Sequence, residues 1–222
     1  METHNSILSE KPKGYFEGER SNMLKYIPAG VRTTLEFGCG YGKFSSLIKN
    51  KFGAETWAVE LNSQAAQQAA TRLDKVINAD AMEALKDIPD NYFDCIIFLD
   101  ILEHLVDPYS LLVSVKTKLA TKGVIVTSIP NVRYYRNLIN LVIKGNWDYQ
   151  DAGTLDKTHL RFFTYKSILK MFENLGFEIL VMDGCKPTRN KKLKFLNMLL
   201  FNALEDLKYL QFFSVVRAKS QS

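Results

Sequence analysis

The chain has 222 residues, of which 46% are hydrophobic and 12% aromatic, and its formal net charge is +5. This length favours one α/β domain with additions, and the apolar content supports a large buried core. No apolar run reaches the roughly 18 residues of a membrane-spanning helix, and the first residues lack the pattern of a secretory signal. The three cysteines, Cys39, Cys95 and Cys185, have no metal-ligand spacing, which predicts reduced thiols in a cytoplasmic protein.

The first 30 residues precede the first predicted strand. Apolar side chains at Met23, Leu24 and Ile27 predict a short amphipathic helix, which ends at Pro28 and Gly30. The glycine-rich stretch that organises the chain follows directly.

In that stretch an apolar run containing Glu36 and Phe37 is followed by Gly38, Gly40 and Gly42, and then by a helical pattern. We interpret it as a strand, a tight turn and a helix. Glycine lets the backbone turn sharply and lets a ligand lie against it. Doubly wound α/β folds bind nucleotide-like cofactors at such a turn.

The spacing of the glycines disfavours a dinucleotide cofactor. A G-x-G-x-x-G fingerprint that begins at Gly38 requires glycine at position 43, where Lys43 stands. The sequence therefore disfavours an NAD-dependent oxidoreductase.

Each of the next three predicted strands leads to an acidic residue. Glu60 follows the second strand, where a carboxylate can accept hydrogen bonds from both hydroxyls of a ribose; alternatively, it is the acid at a helix N-terminus. Asp80 follows the third strand and can also cap the helix that begins at Ala81. Asp100 follows the most apolar run and lies beyond the strand ends, where ligands bind in such folds.

The second half of the chain continues to alternate helices with strands. One helix begins at Asp107-Pro108 and another is capped by Thr164, and strands are predicted at 124–129, 177–182 and 212–219. Residues 131–163 interrupt this alternation with aromatic, amide and charged side chains, and loops at this edge of the sheet hold the acceptor in such folds. We expect the substrate contacts to include Asn131, Tyr134, Trp147 and Tyr149.

Residues 186–194 are basic, and an apolar-faced helix follows to about residue 201. A basic amphipathic segment can lie weakly on a membrane surface; alternatively, the helix packs on the sheet and its basic lead-in is solvated. The basic run lacks interleaved aromatic residues for stacking on bases, so we expect no nucleic-acid partner.

The glycine turn, with Glu36 two positions before G-x-G-x-G, resembles motif I of the class I S-adenosylmethionine-dependent methyltransferases. The resemblance spans roughly residues 15 to 185 and continues through Glu60, Asp80-Ala81 and segments 100–104 and 156–164. It implies a doubly wound, Rossmann-like α/β fold with a seven-stranded mixed sheet. It also implies S-adenosyl-L-methionine as cofactor and S-adenosyl-L-homocysteine as product.

On this basis residues 1–222 form a single domain. Its parts are a cofactor-covering segment at 1–30, an acceptor-side helical insertion at 131–163, and a C-terminal helix and final strand at 186–222.

The resemblance also implies which side chains hold the cofactor. Tyr15 and Arg20 reach it from the covering segment (alternatively, they are a packing aromatic and a solvated arginine), Glu60 binds the ribose, Asp80 the adenine amine, and Asp100 points toward the methionine end. The full predicted set is Tyr15, Arg20, Glu36, Gly38, Gly40, Gly42, Glu60, Leu61, Asp80, Ala81 and Asp100.

An alcohol acceptor needs a base near neutral pKa, and the chain has three histidines. His4 lies in a polar terminus, which leaves His104 and His159. Segment 158–164 resembles a segment of bacterial methyltransferases that modify sugars and surface polysaccharides, which implies His159 as general base and Arg161 as an orienting cation. Alternatively, both side chains tie the insertion to the helix that Thr164 caps.

His104 is the rival base. Asp100-x-x-Glu103-His104 is similar to a stretch of the ubiquinone-pathway O-methyltransferases that is associated with a divalent metal, although its first position is Asp rather than Glu. We nevertheless expect no metal, because the simpler interpretation is that Glu103 and His104 cap and brace the strand-to-helix turn.

Three functions are therefore open. The first is O-methylation of a sugar or surface-glycan precursor with a histidine base. The second is a quinone- or phenol-type O-methyltransferase with a metal at Asp100, Glu103 and His104. The third is a cofactor-binding partner protein without transfer of its own.

Overall fold

The computed structural model describes residues 20–219. The strands are β1 (Thr33–Phe37), β2 (Glu55–Val59), β3 (Lys75–Ile77), β4 (Phe93–Leu99), β5 (Leu119–Pro130), β6 (Phe177–Cys185) and β7 (Gln211–Ala218). The α-helices are α1 (Lys43–Phe52), α2 (Ser63–Ala70), α3 (Ala81–Ala84), α4 (Pro108–Ser114), α5 (Tyr135–Leu138), α6 (Tyr165–Asn174) and α7 (Lys191–Leu199). Short 3₁₀ segments include Ser21–Tyr26 and Leu102–His104.

The seven strands form one sheet in the order β3-β2-β1-β4-β5-β7-β6. The first five are parallel, and β7 runs antiparallel to both β5 and β6. The predicted α/β fold with a seven-stranded mixed sheet is therefore confirmed.

The sheet is covered on both faces, as the continuous apolar run of β4 predicts. Ile96 and Phe98 belong to one core cluster with residues of α4 and α6, whereas Cys95, Ile97 and Leu99 belong to a second cluster with residues of α1. This alternation follows from the period of two along a strand.

The parallel strands bring their carboxyl ends to one edge of the sheet. Phe37 at the end of β1 pairs with Val59 in β2 and with Phe98 in β4. The residues that follow these strands therefore meet at this edge, where doubly wound folds hold their ligands.

Strand β5 begins earlier than the sequence predicts, at Leu119 and not at residue 124. The helix after Asp107 ends at Ser114 and continues as a 3₁₀ turn, Val115–Lys118, and β5 already begins at Leu119. Gly123 explains why the strand passes so close to its neighbours, since a Cβ there would lie 2.8 Å from the Phe93 carbonyl oxygen.

After β5, helix α5 continues directly into a π-helical turn, Ile139–Ile143, and loops then lead to α6. Ile143 and Val142 in that turn are 77% and 72% exposed, and Phe201 after α7 is 96% exposed. Within residues 20–219, no helix is both long enough and apolar enough to cross a bilayer.

Candidate functional site

The glycine turn after β1 adopts a backbone that favours glycine at three positions. Gly38, Gly40 and Gly42 have φ values of +68°, +54° and +72°. A Cβ on Gly38 would lie 2.0 Å from Cδ1 of Ile101, so the turn passes directly beneath that side chain. The sequence therefore needs glycine here for both conformation and space.

Glu60 fastens the second strand to this turn. Its Oε2 accepts a hydrogen bond from the Gly40 amide at 2.8 Å, and its Oε1 accepts one from the Asn62 amide at 2.9 Å. The side chain is buried, and this burial raises its pKa. Each carboxylate oxygen has a second lone pair, so Glu60 can still accept from a ligand.

Glu36 lies beneath the turn in β1. Its Oε2 accepts a hydrogen bond from the Ser45 hydroxyl at 2.6 Å. Burial raises the pKa of Glu36 to about 7, although the Ser45 hydrogen bond and the charge of Arg20 act in the opposite direction.

Asp100 occupies a strained position at the end of β4, with φ at +55°. Four contacts hold its carboxylate: Arg20 Nη2 at 2.5 Å, Ser128 Oγ at 2.6 Å, and Gln211 Nε2 at 3.0 Å from each oxygen. Residues from the start of the described chain, from β5 and from β7 thus converge on one carboxylate. Asp80, at the neighbouring edge, caps α3 by accepting from the Met82 amide at 2.8 Å.

The residues at this edge line one cavity of about 780 Å³. It extends from the glycine turn to the loop that carries His159. Eleven of the predicted site residues line it: Arg20, Glu36, Gly38, Gly40, Glu60, Leu61, Asp80, Ala81, Asp100, His104 and His159.

A buried cluster of Glu103, His104 and His159 lies on the far side of this cavity. Glu103 is 1% exposed, and neither of its carboxylate oxygens has a hydrogen-bond partner among residues 20–219. The imidazole rings of His104 and His159 meet edge to face, with centroids 4.7 Å apart. His159 Nε2 lies 3.9 Å from Glu103 Oε1.

The backbone locks the two segments of this cluster together. The Glu103 carbonyl accepts hydrogen bonds from the amides of Leu160 and Arg161 at 2.9 and 3.0 Å. The cluster is therefore a fixed feature of the fold, although His159 is more than 50 residues away from Glu103 and His104 in the chain.

Burial also shifts the protonation of the cluster. Burial, together with neighbouring His159, lowers the pKa of His104 to about 4, so this imidazole is neutral at pH 7. Burial and the charge of Asp100 raise the pKa of Glu103 well above its usual range.

A protein-family model described as "Methyltransferase domain" matches residues 11–181. This match covers more than half of the chain, including the glycine turn, Glu60, Asp100 and the histidine cluster. The chain belongs to this methyltransferase family. The cofactor that this implies is S-adenosylmethionine.

Solved structures support the fold of this methyltransferase. An S-adenosylmethionine-dependent methyltransferase from Archaeoglobus fulgidus is 24% identical, with a TM-score of 0.66 and coverage of 92% of this chain and 96% of that chain. Similar proteins from Mesorhizobium loti and Methanosarcina mazei are 18% and 16% identical, with TM-scores of 0.60 and 0.63 and coverage of 91% of this chain and 99% of each. No curated protein sequence matches the chain.

The structure places several other predicted residues of the methyltransferase outside the main cavity. Gly42 caps α1, and a Cβ there would lie 3.1 Å from Ala69. The exposed Arg161 donates a hydrogen bond to the Val106 carbonyl at 2.5 Å. Tyr15 lies outside the described residues.

The predicted substrate residues occupy three different environments. Asn131 is fully buried and donates to the carbonyls of Asp206 and Tyr209 at 2.9 Å. Tyr134 lines a second cavity of about 320 Å³, which shares Gly153, Thr154 and Leu210 with the main cavity. Trp147 and Tyr149 both pack against Phe162, whose ring also lies 6.3 Å from that of His159.

Several residues that contribute to the site carry little signal in the sequence. Ser128 lies inside a strand and Gln211 begins one, yet both bind Asp100. Thr158 contacts His104 and is in turn held by Asp156 at 2.7 Å. Only Asp156 and Thr158 lie in a segment that the sequence singles out, because both precede His159 there.

Proposed function

We propose that this methyltransferase transfers a methyl group from S-adenosylmethionine to a hydroxyl of a small polar acceptor, of the sugar or surface-glycan precursor class. The observation that carries this proposal is the continuity of the cavity. One space connects the turn and carboxylates suited to a nucleoside with a buried histidine cluster.

The residues on the turn side fit the cofactor. Glu60 retains lone pairs for the two ribose hydroxyls, and Asp80 retains an acceptor oxygen for the adenine amine beside the Ala81 amide. Arg20, aligned by Asp100, would bind the carboxylate of the methionine end. We propose these roles together with backbone contacts from Gly38 and Gly40.

When bound, S-adenosylmethionine supplies an electrophilic methyl group on a sulfonium. The protein has to hold the acceptor hydroxyl in line with it and exclude water. It also has to accept the hydroxyl proton, and in the metal-free protein His159 is our proposed general base. Its Nδ1 lies 3.2 Å from the Thr154 carbonyl, which can only accept, so the hydrogen belongs on Nδ1 and Nε2 is the basic atom.

Two features support a polar ring as the acceptor. The second cavity is lined by amide and hydroxyl groups, among them Asn140 and Gln150, whose amides can both donate to and accept from sugar hydroxyls. The ring of Phe162 lies 6.3 Å from that of His159 and packs against Trp147 and Tyr149, so this aromatic group could cover an apolar sugar face.

The first test is a thermal shift with S-adenosylmethionine, S-adenosylhomocysteine and NAD in parallel. Ligands that bind only the folded protein raise its melting temperature by mass action. We expect shifts with the two sulfur compounds and none with NAD. Transfer of a labelled methyl group to a panel of nucleotide sugars and glycan precursors then tests the acceptor class. Tight cofactor binding with no product from any acceptor would favour a non-catalytic partner protein.

We also propose weak contact of residues 186–201 with an anionic membrane surface. This segment has five basic residues and no acidic residue. Phe195, Met198 and Phe201 are 60%, 62% and 96% exposed. Co-sedimentation with vesicles that contain anionic lipid tests the contact, since binding should exceed that to neutral vesicles and fall with added salt. Equal binding to both vesicle types would contradict it.

A further inference from the structure

We infer that Glu103, His104 and His159 form a binding site for one first-row divalent transition-metal ion. The site lies on the acceptor side of the main cavity, which all three residues line. Only the task that we assign to the ion rests on the proposed function. The site itself follows from the arrangement of the side chains.

The three side chains are close enough to share one ion. Each offers a ligand atom, and these atoms all lie within 4.8 Å of one another. With bonds of about 2.1 Å, two neighbouring ligands of an ion lie about 3 Å apart, so the cluster has to contract by an ångström or so on binding.

Glu103 is the feature that a bound ion explains best. Its carboxylate is buried, and neither oxygen accepts a hydrogen bond from any residue in the described part of the chain. Buried polar groups are nearly always satisfied, and an exception calls for a proton, an ion or a ligand that completes it. Glu60 and Asp100, in the same cavity, each have donors on both oxygens.

Both histidines are oriented as metal ligands usually are. His104 Nδ1 lies 3.1 Å from the Thr158 carbonyl, and His159 Nδ1 lies 3.2 Å from the Thr154 carbonyl. A carbonyl can only accept, so each Nδ1 carries the hydrogen and each Nε2 has the lone pair. Ligating histidines are typically held by such a hydrogen bond from the other ring nitrogen.

The ligand set differs from the one that the sequence suggests. There, Asp100, Glu103 and His104 are the possible ligands. The carboxylate of Asp100, however, is held by Arg20, Ser128 and Gln211. His159 takes its place, because the 158–161 loop is bonded to the Glu103 carbonyl.

Two imidazoles and one carboxylate select the kind of ion. This set is typical of Zn²⁺, Fe²⁺, Mn²⁺ and Co²⁺, whereas Mg²⁺ and Ca²⁺ prefer all-oxygen sites. Three protein ligands also leave open positions for an acceptor oxygen. A hydroxyl bound to such an ion would release its proton to solvent water near neutral pH, and its oxygen would then take the methyl group. With the ion bound, His159 is therefore a ligand and not the general base.

The test measures binding without any acceptor. Tag-free protein is stripped with EDTA, dialysed and titrated with Co²⁺, and the visible d–d absorption of the bound ion is recorded. We expect one ion per chain with micromolar or tighter affinity, and no displacement by millimolar Mg²⁺. Absence of binding, or displacement by Mg²⁺, would overturn the inference as stated.

Variants locate the ion. Glu103→Gln and His159→Gln should each weaken Co²⁺ affinity by at least about 100-fold, since each removes one of three ligands. His4→Gln is the matched control, because His4 is the only other histidine, and it should bind as the wild type does. Circular dichroism and S-adenosylmethionine calorimetry show that each variant is folded. Unchanged Co²⁺ binding in either folded ligand variant would contradict the site.

The failure of this inference and that of the proposed function are distinguishable. If the ion binds but no methyl group is transferred to any hydroxyl acceptor, the site stands and the function fails. If methyl transfer is observed, and neither stripping with EDTA nor adding back a divalent ion changes its rate, the function stands and the site fails.

Discussion

The main cavity has two halves, a turn side around Gly38, Glu60 and Asp100 and an acceptor side around Glu103 and His159, and their carboxylates have different hydrogen-bond partners. On the turn side, Glu60 and Asp100 receive hydrogen bonds on both oxygens from backbone amides and polar side chains. On the acceptor side, Glu103 is more deeply buried and receives none from residues 20–219. Contacts within residues 20–219 hold the carboxylates of the first half, whereas we propose that a bound ion completes the second.

The largest expected effect is on turnover, at the acceptor side. His159→Ala should lower kcat by about 10² to 10⁴-fold, which is the usual range for losing a general base. Loss of an ion ligand would lower kcat as well. Cofactor affinity should stay nearly unchanged, because the proposed cofactor residues lie in the other half. Steady-state kinetics and calorimetry measure the two quantities. A parallel loss of cofactor affinity and folded structure would instead make His159 a brace for the insertion.

On the turn side, substitution of Gly38 should cause the largest loss of stability. Gly38→Ala places a Cβ 2.0 Å from Ile101 in a residue with φ at +68°, and we expect a loss of roughly 2–4 kcal/mol in unfolding free energy. Gly30→Ala is the matched control, since its φ is +79° but no atom lies within 4 Å of the new Cβ. It should cost only about 1–2 kcal/mol for the backbone. Equal losses in urea denaturation would show that the contact with Ile101 is unimportant.

The pH dependence of stability shows how much the buried negative charge of Glu36 costs the folded protein. Its pKa rises from 4.5 to about 7 on folding, so its contribution to stability is fully present below pH 4.5 and is lost as the pH rises through 7. The stability of Glu36→Gln relative to wild type should therefore increase by about 2–3 kcal/mol between pH 5 and pH 8. Denaturation at both pH values measures this, with Glu178→Gln on the surface as control. A pH-independent difference would show that Glu36 keeps an ordinary pKa.

The sequence predicts the turn side well for a topological reason. Parallel strands end at one edge of the sheet, so residues after β1, β2, β3 and β4 have to meet there once the strands are recognised. Glu60 and Asp100 could be placed at this edge in this way. The glycines could be placed in the turn, because glycine readily adopts the positive φ values that the turn requires.

The acceptor side could be predicted only in part. Glu103 and His159 are close because the loop that carries His159, 56 residues further along the chain, folds back onto Glu103. No periodic pattern in the sequence predicts the path of that loop. Asn131 illustrates the same limit. A polar residue after a strand can face a ligand or satisfy backbone carbonyls, and here its side chain bonds to the carbonyls of Asp206 and Tyr209.

The smallest expected effect separates two tasks of one carboxylate on the turn side. Asp80 caps α3 through Oδ1, and we propose that its other oxygen accepts from the adenine amine. Asp80→Asn keeps the cap, because asparagine caps helices as well as aspartate does. Its NH₂ group, however, would then face the adenine amine, and neither of these two donors can accept a hydrogen bond from the other. Unfolding free energy should therefore stay within about 0.5 kcal/mol, while S-adenosylmethionine affinity falls by about 10-fold. Asp80→Ala should show the same loss of affinity and a further loss of about 1 kcal/mol in stability. If Asp80→Asn binds the cofactor as wild type does, the carboxylate is only a helix cap, and the turn side recognises adenine by other groups.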